Sequence, residues 1–222
     1  MSSTSIREMT EKGSRYIDFL IPGLLGMNLL GTGVWGVGFY IVTVRMNNLL
    51  KRLIAAPMKK SHFLAAQVLG RLVFLVPEVG ALLVVAYFLF DVPIRGSLAT
   101  LALVSVLGAM TFCGFGLLTG SRAKTIEGAS GIMNFIMLPM WILSGAMFPP
   151  QGLHPAIGTI VKLNPLTYGM AALRRAFYGG SLPEGTAVAA STPALELGVL
   201  FLSAVAAVAA ACFAASRRAY AR

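Results

Sequence analysis

Five long stretches carry almost no charge: Phe19 to Val44, Leu72 to Phe90 (interrupted only by Glu78), Gly96 to Ser121, Gly128 to Phe148, and Leu197 to Ser216. An ionised side chain at bilayer depth costs at least about 2.5 kcal/mol, so charge-free windows mark the segments that can cross a membrane. About 20 residues suffice for a helical crossing. The composition agrees: AVILMFWYC make up 57% of the chain and DEKR 12%, half of the roughly 25% charged residues of soluble domains. A cytosolic enzyme, a nucleic-acid reader, a disulfide framework and a disordered tail are all excluded. No stretch shows the ten-residue polar/apolar alternation of an outer-membrane strand. The expected fold is all-α, a polytopic membrane helical bundle over residues 19–216 with five spans.

Residues Gly128 to Val161 form 34 uncharged positions, too many for one crossing, and Pro149, Pro150 and Pro155 break them. Proline removes a backbone donor and ends helices. The fourth span should therefore stop near Phe148. Residues 149–180 should form a re-entrant outer segment packed on the bundle, since irregular backbone at membrane depth survives only against protein or water.

Sidedness follows from Lys and Arg near the span ends. Arg45, Lys51, Arg52, Lys59, Lys60 and Arg71 lie between the first two spans, Arg122 and Lys124 between the third and fourth, and Arg217, Arg218 and Arg222 after the fifth. These eleven bases meet one acid, Glu127, on that side. The other side is nearly balanced, so the formal net charge of +10 is a cytoplasmic excess. It speaks for anionic lipid rather than nucleic acid. The reading places 1–18 outside, the C-terminal tail 217–222 in the cytoplasm, and the protein in the plasma (inner) membrane. The segment Met1 to Ile17 has balanced charge and no apolar leader. The expectation is that a span normally preceding it is absent from this chain.

The basic region 45–71 has its own pattern. Met46, Leu49, Leu50, Leu53 and Ile54 share one helical face, while Asn47, Asn48, Lys51, Arg52 and Ala55 take the other. Pro57 ends that helix, and Ser61 is placed to cap the next. Such a basic amphipathic helix either lies on lipid headgroups or docks as a lever on a cytoplasmic partner.

Within the spans, Pro22, Gly23, Gly26, Gly31, Gly33, Gly36 and Gly38 crowd the first, and Gly108, Gly114, Gly116 and Gly120 the third. Gly116 and Gly120 make one GxxxG, which brings helices close either within one chain or between two copies. Glu78 calls for protonation or a partner. It either lines a substrate path or bonds a neighbour such as Asn134 in another span.

Catalytic chemistry finds little support. Gly128-Ala-Ser-Gly131 resembles the nucleophile motif of rhomboid proteases, yet Ser130 needs a histidine base. His62 and His154 both fall outside the spans. Cys113 and Cys212 have no metal-ligand spacing and read as small packing residues. No Gly-Lys dipeptide occurs, so there is no phosphate-cradling P-loop. No catalytic residue, metal or cofactor is expected in this chain, and ATP-driven transport would need a partner's ATP. A gradient-driven carrier should show several intramembrane ionisable groups or inverted repeats.

Four pieces in order carry a resemblance. Tyr16-Ile-Asp-Phe-Leu-Ile-Pro-Gly23 leads into the glycine-rich span. Leu50-Lys-Arg-Leu-Ile-Ala-Ala-Pro-Met58 and Arg122-Ala-Lys-Thr-Ile-Glu127 follow, then Asn164-Pro-Leu-Thr-Tyr168 with Arg174 and Arg175. Together they resemble the permease subunit of type-2 ABC exporters, nearly throughout from Tyr16. The family carries one span more than the five counted here, before the first of them.

The resemblance implies an exporter of drugs, lipids or glycans, built from two permease subunits, as a homo- or heterodimer, and cytoplasmic ATP-binding subunits. Leu49, Leu50, Lys51, Arg52, Leu53, Ile54 and Pro57 would form the coupling helix. Asn164, Pro165 and Tyr168 would belong to outer helices roofing a path that Glu78 and Asn134 also border. The alternative is a non-ABC membrane component, a gradient carrier or accessory subunit, with an intramembrane serine protease a distant third.

Overall fold

The computed structural model describes residues 16–47, 60–90, 96–123, 125–144, 161–179 and 191–217. Among them, regular structure is entirely helical: α1 (Tyr16–Gly31), a π-turn (Thr32–Gly36), α2 (Val37–Met46), α3 (Lys60–Phe88), α4 (Leu98–Arg122), α5 (Ile126–Leu143), α6 (Pro165–Tyr178) and α7 (Pro193–Arg217). Five helical runs are long and apolar enough to cross a membrane: Leu20–Met46, Ala65–Phe88, Leu98–Arg122, Ile126–Leu143 and Pro193–Ala211. The chain is a polytopic helical bundle, as its charge-free windows imply.

The second crossing differs from its window. It starts at Ala65 rather than Leu72 and carries Arg71 inside it, on a helix already formed at Lys60 and so including Ser61. A charge-free rule stops at any arginine; this one is buried with a partner on its own helix.

Helix α4 is the hub, with α1, the π-turn and α2 on one side and α7 on another. Small residues make this possible, because lipid supplies no hydrophobic drive for helices to associate. A Cβ added to Gly116 would stand 2.5 Å from the carbonyl oxygen of Gly33, and one on Gly114 would stand 2.5 Å from Cβ of Ala207. The GxxxG of the third span is thus used within the chain. Contacts run in step: Gly33 meets Phe112, Gly38 meets Gly116, and Arg45 Nη1 donates to Ser121 O at 2.9 Å. The first span and α4 therefore run parallel. So does α7, where the Thr111 hydroxyl lies 3.2 Å from Leu200 O and 3.3 Å from Ser203 Oγ. Around this centre Leu25, Leu29, Leu30, Phe112, Met133, Met170 and Phe177 form the buried core.

Helices α3 and α5 lie at the periphery. Val73, Phe74, Val76, Phe88, Phe135 and Ile142 are exposed, as suits side chains set against hydrocarbon. Thr125 opens α5, its side chain accepting from Gly128 N at 3.1 Å, with Glu127 in the first turn to complement the helix dipole.

Helix α6 is a short rod of about 21 Å at 1.5 Å per residue, shorter than a crossing. Asn164 caps it, Pro165 sits at its first position, and Gly179 ends it in the left-handed conformation (φ 73°) that glycine tolerates. Its far end is clamped: Gly96 N donates to Phe177 O at 3.1 Å, and a Cβ on Gly96 would fall 1.7 Å from Ala176 O. Only glycine lets the chain entering α4 approach so closely.

Candidate functional site: a polar face at membrane depth

The first span buries residues in pairs: 25 and 26, 29 and 30, 33 and 34, 37 and 38, then 42. Opposite them Leu24, Asn28, Thr32, Gly36, Tyr40 and Thr43 are exposed. Four of these six are polar, and they lie on one side of a helix that otherwise packs through glycine and leucine.

Thr32, midway along that face, meets α3. Its hydroxyl donates to Asn28 O at 2.7 Å and lies 3.3 Å from Glu78 Oε1. Arg71 Nη2 donates to Thr32 Oγ1, and Arg71 Nη1 donates to Glu78 Oε2. Arg71 is 8% exposed, and the Glu78 side chain 18%. An ion pair with additional hydrogen bonds is the arrangement that offsets the desolvation of charges at depth. Glu78 therefore does have a partner, and it is Arg71 with Thr32 rather than Asn134, which is exposed on α5. Arg71 and Glu78 stand seven residues apart, two turns along one face. That spacing was the available signal for the pair; nothing in the sequence singles out Thr32.

The outer-segment residues sort differently. Asn164 ties two helices: Oδ1 accepts from Leu166 N at 3.1 Å, and Nδ2 donates to Met140 O at 3.0 Å. Pro165 lines an apolar groove of about 360 Å³ with Phe115, Leu118, Val199 and Ser203. Tyr168 is half-buried on α6. Further along, Arg175 Nε donates to Glu196 Oε1 at 2.9 Å, Ser191 Oγ donates to the same oxygen, and Arg175 Nη2 donates to Ser191 O. This ties α6 to the start of α7. Its neighbour Arg174 is fully buried, and burial pulls its pKa down to about 10, with Tyr178 acting the other way.

Ser130 Oγ donates to Ile126 O at 3.0 Å within its own helix, an ordinary role for a serine in a helix. His62 is exposed on α3, and Cys113 is a buried free thiol in the α4 interface. The coupling residues Leu49, Leu50, Lys51, Arg52, Leu53, Ile54 and Pro57, and likewise His154, lie outside the described residues.

A five-crossing bundle packed through glycines, with a charged pair held between its helices and one polar face turned outward, defines a polytopic integral membrane protein. Residues 3–178 of the 222 match the ABC-2 type transporter family, and the chain belongs to it. Over 168 residues it is 31% identical to the inner membrane transport permease YadH of Escherichia coli K12, covering 75% of this chain and 65% of that one. It is 27% identical over 161 residues to ABC transporter G family member 20 of Dictyostelium discoideum, covering 72% of this chain and 22% of that one. With the probable multidrug ABC transporter permease YbhR of Escherichia coli K12, identity is 22% over 173 residues, 75% of this chain and 45% of that one. The chain thus spans less than two thirds of each of these relatives.

Proposed function

We propose that this chain acts as the permease subunit of an ATP-binding-cassette exporter, moving a drug, lipid or glycan with ATP hydrolysed by a partner. The observation that carries this reading is the outward polar face of the first span. Asn28, Thr32, Tyr40 and Thr43 are exposed at membrane depth, where polar groups are costly against hydrocarbon and gather on water-filled paths or protein interfaces. A second permease subunit facing this side would close it into a path bordered by Glu78 and roofed by α6.

Sidedness supports the same arrangement. Arg45 and Arg122 end their helices on one side, and the basic stretch 48–59 follows Arg45 in sequence. Positive ends mark the cytoplasm, and this supports a reading with the C-terminus inside and the amphipathic stretch Leu49 to Pro57 facing a cytoplasmic ATPase. The membrane is the plasma (inner) membrane, in keeping with the relative named for it. No catalytic group or cofactor is assigned to this chain, since hydrolysis belongs to the partner.

Purification from mild detergent should bring down a P-loop ATPase whose activity rises in lipid when the permease is present. Substituting Leu53→Asp with Ile54→Asp should abolish that stimulation while leaving the protein in the membrane. Full stimulation in the double variant, or purification with no ATPase, would overturn the assignment.

A further inference from the structure

The first span is not a regular α-helix. Its exposed residues step by four from Leu24 to Tyr40, and its buried pairs step by four from Leu25 and Gly26 to Val37 and Gly38. At about 100° per residue a step of four overshoots one turn by about 40°. Four such steps would carry Tyr40 about 160° around from Leu24, to nearly the opposite side. The π-turn at Thr32–Gly36 corrects this, because its wider i→i+5 turn absorbs one residue and returns about 100°. Asn28 above the turn and Tyr40 and Thr43 below it thereby share one face.

We propose that Arg71 and Glu78 are positioning residues for that face: by gripping Thr32, the first residue of the π-turn, they fix the turn and hold the upper and lower halves in register. Two observations meet here. Among the described residues, this cluster hydrogen-bonds across helices to the residue where the turn begins, through both a guanidinium nitrogen and a carboxylate oxygen. The Thr32 hydroxyl in turn donates back to Asn28 O, the carbonyl one turn above. The opposite side is held by Gly33 and Gly38 packed on α4, so the turn is gripped from both sides. Arg71 and Glu78 sit on a helix that runs unbroken from Lys60, next to the basic segment. Displacement of that helix would reach the π-turn directly.

The inference rests on the reading of this face as the wall of a substrate path, and the test separates the two. In a background with Cys113→Ala and Cys212→Ala, single cysteines are introduced by Asn28→Cys, Tyr40→Cys and Thr43→Cys. Their labelling by a membrane-impermeant methanethiosulfonate is followed in native membranes that hold the whole transporter. All three should react at comparable rates in the otherwise unaltered chain. With Arg71→Gln and Glu78→Gln together, Asn28→Cys should keep its rate while Tyr40→Cys and Thr43→Cys slow at least tenfold, because only the lower half rotates.

Exchanging the pair, Arg71→Glu with Glu78→Arg, should restore them. Thr32→Val, which leaves the ion pair intact, should reproduce the selective loss should the double glutamine variant fail to insert. No labelling at any of the three positions in the unaltered chain overturns the path wall. Labelling unchanged, or slowed equally at all three, overturns the positioning role and leaves the path wall standing.

Discussion

The carbonyl oxygen of Gly38 lies 2.6 Å from the place a Cβ on Gly120 would occupy, so α2 and α4 touch backbone to backbone. The obstruction is main chain, which cannot swing aside like a side chain. Gly120→Val should therefore destabilise the bundle by about 1–3 kcal/mol, the usual range for overpacking, or block assembly. Gly131→Ala is the control, since nothing lies within 4 Å of its added carbon. Thermal unfolding in detergent should separate the two, and equal midpoints would mean that the two helices do not meet at these glycines.

Glu196 is 1% exposed and holds Arg175 and Ser191 on one oxygen. Removing one member of a buried ion pair strands the other, at about 3–5 kcal/mol. Arg175 keeps some access to solvent, so Glu196→Ala should fall toward the lower end. Replacing both, Arg175→Met with Glu196→Leu, should recover much of the loss because no uncompensated charge remains. A double variant as unstable as the single one would show that shape, not charge, is what the pair contributes.

Arg174 has the opposite sign from a paired acid. Burial lowers its pKa to about 10, so the protonated form is the one the fold disfavours. That cost is fully present below about 10 and is relieved only as pH rises through it. Between about pH 6 and 9 the stability difference between the parent and Arg174→Met should therefore be flat. Thermal melts across that range check it; a slope would place the titrating group elsewhere.

Much of this architecture was legible because hydrocarbon penalises charge so heavily. The five crossings stand out as charge-free windows, and the glycines that pack α4 announce close contact, although only the structure shows that the contact is within one chain. Arg71 escaped the same logic: a rule that reads arginine as loop cannot see a guanidinium satisfied by Glu78 and Thr32. The π-turn escaped for a related reason, since helical periodicity is usually sought at 3.6 residues and this span keeps a step of four. Arg174, which falls within the outer segment 149–180, is buried in α6. Local spacing does not reveal which of two adjacent arginines turns inward. The resemblance singled out Asn164 for the path; spacing gave no sign that its amide also caps α6 and reaches Met140 O.

That use of Asn164 can be divided by two substitutions. Its Oδ1 caps α6 through Leu166 N, while its Nδ2 reaches across to Met140 O on α5. Asn164→Asp keeps the acceptor and removes the donor, so α6 should still form while its tie to α5 is lost. Asn164→Ala removes both. Cap loss alone costs about 0.5–2 kcal/mol, and leaving the Met140 carbonyl without this donor adds to it. The order of thermal stability should be parent, then Asp, then Ala, measured at equal expression. If transport falls sharply in Asn164→Asp while stability barely changes, Asn164 meets the substrate as well as holding α6 to α5.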